Sequence, residues 1–155
     1  MAVAIHSSTT MINAAFLQEV KESNVELWET VHELRQMIEG TFSSAGNARR
    51  LVGLLGQLRD LLAFEFTLEE AYGFIEGCRG IAPSVAQRAS TAKLQHRELY
   101  LLIHELCETA EEAQYRGVAD REFSELLAMA ADFDAQLRAH ELLESELITS
   151  GFRGA

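Results

Sequence analysis

A chain of 155 residues is long enough for one domain with a substantial core. Its formal charge of −11, from 24 acidic against 13 basic side chains, disfavours nucleic acid and anionic membrane surfaces as partners. No apolar stretch approaches the roughly 20 residues of a membrane span, and the start, MAVAIHSSTTMINAAF, lacks the pattern of a leader, so a cytoplasmic location is expected.

A single Pro among abundant Leu, Ala and Glu points to helix throughout. The first predicted helix covers residues 11–39, with an inward stripe of Phe16, Val20, Asn24, Leu27, Val31, Leu34 and Ile38. EGTFSSAGN (39–47) breaks it, and a second helix over 47–77 directs Leu51, Leu54, Leu58, Leu61, Glu65, Glu69 and Tyr72 inward. EGCRGIAPS (76–84) follows, then a third helix over 84–116 with Ala92, His96, Leu99, Ile103 and Leu106 on its stripe and Tyr100 at the edge. YRGVAD (115–120) supplies Gly117 and a candidate N-cap, Asp120, before a fourth helix over 120–149. Its stripe is Phe123, Leu127, Ala130, Phe133, Leu137, His140, Glu144 and Leu147. No segment alternates as a strand does. Short breaks between long helices make sequential helices antiparallel, so the expected fold is all-α: an up-down-up-down four-helix bundle forming a single domain. Cys78 and Cys107 lack CxxC spacing and read as reduced structural thiols.

Each apolar stripe is interrupted once, by Asn24, by Glu65 with Glu69, by His96, and by His140 with Glu144. Counted from the shared breaks, these positions differ by a turn or less at about 1.5 Å per residue, so all four helices send polar groups into one slab of the core. An unpaired buried carboxylate costs several kcal/mol, and neighbouring carboxylates cost more unless a cation or proton compensates. A divalent cation would offset the charge and accept the imidazole lone pairs. Glu65, Glu69, His96, His140 and Glu144 are therefore the candidate metal ligands. Five ligands exceed what one tetrahedral Zn²⁺ needs. They suit two octahedral ions of iron or manganese, bridged by a carboxylate such as Glu69 or Glu144.

The stretches LRDLLAFEFTLEEAYGF, LQHRELYLLIHEL and LRAHELLESELI resemble those of hemerythrin-like (HHE-type) domains, over nearly all four helices. The resemblance implies Glu69, His96, His140 and Glu144 as ligands of a di-iron site that meets O₂, peroxide or NO. The chain departs from the family pattern in having Glu65 where the second helix carries its first His, and Asn24 where the first helix carries one. Tyr100 stands where oxygen carriers place a further His. Fewer imidazoles and more carboxylates favour the ferric state, so the expectation shifts from reversible oxygen carriage to peroxidase-, catalase- or ferroxidase-type behaviour or iron handling.

The bland readings are specific. Glu65 and Glu69 could lie on a solvated face, His140 could be a core histidine hydrogen-bonded to Glu144 one turn on, Asn24 could simply hydrogen-bond across the core, and Tyr100 could be a packed aromatic; Asn24 and Tyr100 otherwise stand beside the ligands as support. His32 and His104 read as surface residues. The alternative to a di-iron protein with small-molecule partners is a metal-free or mononuclear-metal bundle, zinc and manganese included, acting as an interaction module. Either would be a monomer or a small homo-oligomer.

Overall fold

The computed structural model describes residues 10–40, 46–77, 80 and 82–153. A short strand, β1 (Thr10–Ile12), leads into α1 (Ala14–Ser23) and α2 (Val25–Glu39). Then α3 (Asn47–Leu68) passes through a π-helical turn (Glu69–Gly73) into strand β2 (Phe74–Glu76), followed by α4 (Pro83–Tyr115) and α5 (Phe123–Arg153). The protein is mostly helical, as expected, and among the described residues no helix is long and apolar enough to cross a membrane. α3 packs on α2 and α4, and α5 packs on α4, α2 and α1. Ion pairs Lys21–Glu65 and Arg50–Glu33 join α3 to α1 and α2 in the antiparallel sense, and Arg35–Asp134 links α2 to α5.

The first and second expected helices are both modified. Residues 10–12 pair antiparallel with 74–76, in the register Thr10↔Glu76, Met11↔Ile75 and Ile12↔Phe74. Three-residue strands are too short to show an alternating pattern, and the sequence reading had no strand at all. Asn13 caps α1, its side-chain oxygen accepting from the Phe16 amide at 3.2 Å. Asn24 divides the first helix: with φ −90° and ψ 60° it leaves helical geometry, closing α1 through its amide to Val20 and opening α2 through its carbonyl to Trp28. At the other end of the paired strands, the α3 spiral widens into the π-turn, closed by the Phe74 amide donating to the Glu69 carbonyl. This turn carries Tyr72 off the inward stripe, leaving it 62% exposed.

Elsewhere the stripes hold, except that Leu62 and Leu126 take the inner positions expected for Leu61 and Leu127, which are only partly buried. Leu51, Leu54, Leu58, Leu99, Ile103, Leu106, Phe133 and Leu137 are buried in one apolar cluster with Leu27, Val31 and Leu34. Asp120 lies in the turn before α5 rather than at its first residue, and Gly117 takes the positive φ (74°) that the turn needs. Cys107 is a buried free thiol whose pKa burial pushes up to about 11; Cys78, and residues 41–45 of the first break, lie outside the described residues.

Among the described residues the core forms two clusters. The larger cluster ends at Leu27, Leu62, Phe66, Leu99 and Leu137; a smaller one contains Ile12, Ala14, Leu17, Phe74, Ala92 and Leu147. Along the chain most of the expected polar positions fall between the two: Asn24 after Leu17 and before Leu27, Glu69 after Phe66 and before Phe74, His96 after Ala92 and before Leu99, and His140 and Glu144 after Leu137 and before Leu147. Glu65 lies at the edge of the larger cluster, between Leu62 and Phe66.

Candidate metal centre

Glu65, Glu69, His96, His140 and Glu144 are all buried, each 2% exposed or less, in this slab. His96, His140 and Glu144 bring one ligand atom each within 4.8 Å of one another. His96 Nε2 lies 3.7 Å from Glu144 Oε1 and 3.9 Å from Glu69 Oε2. The structure thus brings Glu69, His96, His140 and Glu144 together, and Glu65 joins them indirectly. Its two oxygens face Asn24 Nδ2 and Lys21 Nζ, each at 3.4 Å.

Aromatic packing fixes both imidazoles. Phe66 stacks on His96 with centroids 4.3 Å apart, and Phe74 meets the same ring edge-on. His140 Nδ1 donates to Gln95 Oε1 at 2.8 Å, and Nε2 is turned toward Glu144 Oε1, against which it abuts. Two lone pairs in contact repel unless a proton or a metal ion lies between them. On the outer side of His96, Glu70 Oε1 stands 3.8 Å from Nδ1.

Among the described residues, hydrogen-bond partners are lacking for His96 Nδ1 and Nε2, His140 Nε2, Glu69 Oε2 and Glu144 Oε2, all of them buried. Burying a polar atom without a partner costs about 1–3 kcal/mol, and native structures seldom collect five such atoms in one place. The donor set is what a transition metal takes: imidazole nitrogens with carboxylate oxygens. These residues fit such an ion.

Lys21 was not foreseen. Its Nζ lies 3.4 Å from Glu65 and from Glu69, 3.0 Å from Glu144 and 2.9 Å from Glu141, with the side chain only 14% exposed. The signal was present in the spacing: Lys21 follows Ala14 by seven residues and Leu17 by four, and those two residues mark the buried face of α1. Of the expected stripe, Val20 is buried, but Phe16 is only half-buried and Leu17 takes the inner position beside it. Glu141 was hidden differently, as the neighbour of His140 on a helix, and Gln95 as the neighbour of His96.

The charges settle around Lys21. Burial alone would lower its pKa, but Glu144, Glu141, Glu69 and Glu65 outweigh that and hold it well above the usual lysine value. Burial, reinforced by Glu144, pushes Glu69 up to about 12, so Glu69 keeps a proton when no metal is bound. Burial also acts to raise Glu144, yet Glu69, His140 and His96, with the Lys21 charge, hold it well below the usual range. Burial raises Glu141 in spite of Lys21. It lowers His96, which favours the neutral imidazole that a metal requires.

Tyr100 is 38% exposed, stacks on His104 and lines a cleft of about 390 Å³ between α3 and α4, whose floor includes His96 and Phe66. It does not reach the carboxylates through any hydrogen bond among the described residues. His104 pairs with Glu108 and His32 is exposed, as surface histidines do. Comparison of the chain with family models, curated proteins and solved structures gives no match. The hemerythrin-like resemblance therefore rests on the helix motifs alone.

Proposed function

We propose that this chain is a hemerythrin-like metal protein in which His96, His140, Glu144 and Glu69 hold one transition-metal ion, iron by preference. In this reading α1 and α2 form one interrupted arm of an up-down-up-down bundle, and the slab between the two apolar clusters is its ligand cage. The observation that carries the reading is the convergence of two imidazoles and a carboxylate within 4.8 Å, with their buried lone pairs left without hydrogen-bond partners. Two His and one carboxylate, with further positions open, is the donor set of non-haem Fe(II) proteins; manganese and zinc accept it too. The expectation of two ions is narrowed to one by Lys21, whose charge already serves part of the carboxylate cluster.

Bound iron would supply one-electron chemistry toward O₂, peroxide or NO, or the ion would itself be cargo. The chain's own residues do the rest. Gln95 keeps a hydrogen on His140 Nδ1 so that Nε2 faces the centre. Glu70 Oε1, 3.8 Å from His96 Nδ1, places a carboxylate on the outer side of that ring, beyond hydrogen-bond distance. The clusters above and below exclude bulk water, and the α3–α4 cleft gives small molecules a path to His96.

Lys21 also favours a second reading, a metal-free bundle held by ion pairs that serves as an interaction module. Elemental analysis of protein purified without chelator, and again after anaerobic Fe²⁺ loading, separates the two. About one ion per chain in the wild type, lost in His140→Ala and in Glu144→Gln, is the expected result. No retained metal under either condition would leave only the metal-free reading.

A further inference from the structure

Four carboxylates from two different arms converge on the Lys21 ammonium at 2.9–3.4 Å: Glu65 and Glu69 from the α3 side, Glu141 and Glu144 from α5. An ammonium has three N–H donors, so it cannot satisfy four carboxylates with one hydrogen bond each. A metal ion with six or more oxygen positions can. Glu141 has no other cationic partner among the described residues, and Glu65 has only the neutral Asn24 amide besides. Two further oxygens in the cluster, Glu69 Oε2 and Glu144 Oε2, are buried without a hydrogen-bond partner among the described residues.

We propose that Lys21 is a built-in cation standing in a latent second metal site, so that it limits the centre to one metal ion per chain. The latent site comprises Glu65 and Glu141, with Glu69 and Glu144 shared between it and the imidazole-bound ion. The inference deepens the one-ion reading above and rests on it. The charge balance runs the same way. Four carboxylates against one ammonium leave three negative charges, of which one divalent ion offsets two. A second divalent ion beside Lys21 would overshoot, and would face an ammonium at contact distance with like charge.

The donors also define what the latent site would take. All of its ligands are carboxylate oxygens, so it selects hard cations such as Mn²⁺ or Mg²⁺ over those that favour nitrogen. The neighbouring His96 and His140 position selects iron or zinc. Loss of the Lys21 charge should turn one site into two unlike sites.

The experiment titrates Mn²⁺ into wild type, Lys21→Met, Lys21→Gln and Lys21→Arg, reading bound ions per chain by equilibrium dialysis with elemental analysis. Lys21→Met and Lys21→Gln should each bind one Mn²⁺ more than wild type, and Lys21→Arg, which keeps the cation, should bind the same number. Adding Glu141→Gln to Lys21→Met should remove the extra ion and leave the first. If Lys21→Met folds only with metal present, it is refolded in Mn²⁺ before dialysis, and Lys21→Gln, whose amide can still bond to carboxylates, carries the comparison. No gain in either neutral variant, a gain in Lys21→Arg, or two ions already in wild type would each overturn the inference. Zero ions in wild type would sink the one-ion reading instead, and the gain in the neutral variants is still scored on its own.

Discussion

Gln95 reaches the centre only through His140, holding the hydrogen on Nδ1 so that Nε2 faces Glu144. Gln95→Leu should therefore weaken metal binding by about 10–100-fold, the usual cost of losing a partner behind a ligand, with the fold intact. Competition against a chelator of known affinity measures it, and unchanged affinity would remove Gln95 from the centre. Glu69 gives a second prediction, with a definite sign. Its pKa in the metal-free fold, up to about 12 through burial and Glu144, lies above the unfolded value of 4.5. The stabilisation it gives is fully present below that unfolded value and is lost as pH rises toward 12. Metal must displace the proton, so binding should release about one proton, and affinity should rise up to tenfold per pH unit within that window. Calorimetry in two buffers of different ionisation enthalpy detects the release; none would contradict the assignment. At this scale the sequence was readable where a polar residue interrupts an apolar stripe, as at Glu65, Glu69, His96, His140 and Glu144. It was unreadable at Lys21, since a lysine beside a misjudged stripe looks like any solvated lysine until the carboxylates around it are placed.

At the scale of elements, the breaks and three of the four stripes were legible because 3.6-residue periodicity spans many turns of α3, α4 and α5. The division at Asn24, the π-turn and the strand pair were not, for each is decided by tertiary contact. Gly73 shows how. A Cβ there would come within 2.4 Å of Leu17 Cδ2, so its absence lets the π-turn close on α1, and the Asn13 amide bonds the Gly73 carbonyl at 2.7 Å. Gly151 plays the same part on α5: a Cβ would meet the Ala14 methyl at 2.7 Å and Ile12 Cδ1 at 3.3 Å. The Ala14 methyl cannot swing aside. Gly151→Ala should thus cost about 1–3 kcal/mol through overpacking. Gly53, in the α3 interior with nothing within 4 Å of its added Cβ, should behave oppositely, with Gly53→Ala stabilising by about 1 kcal/mol. Urea midpoints of the two variants on either side of wild type are expected; a Gly151→Ala midpoint at or above wild type would show that α1 and α5 are not in close contact there.

Over the whole molecule, the polar slab separates two apolar clusters that neither cluster alone could replace as a core. Every arm crosses the slab, so an ion bound there by α4, α5 and the π-turn ties together elements far apart in the chain. Such an ion binds the folded state and finds no preformed site in the unfolded chain, so its binding energy adds to global stability. At a free concentration 100 times the dissociation constant, the gain is about 2.7 kcal/mol. For a chain of this size, 1 kcal/mol moves Tm by about 2–4 °C, so metal loading should raise Tm by about 5–11 °C in a single cooperative step. The shift should reverse with chelator and be absent in His140→Ala. Raising NaCl should not reproduce it: screening reduces the surface repulsion of a chain with net charge −11, but it acts weakly on groups that are 2% exposed or less. A Tm that follows ionic strength and ignores the metal would place the stabilising charge at the surface, and the buried carboxylates would then be held by Lys21 and protons alone.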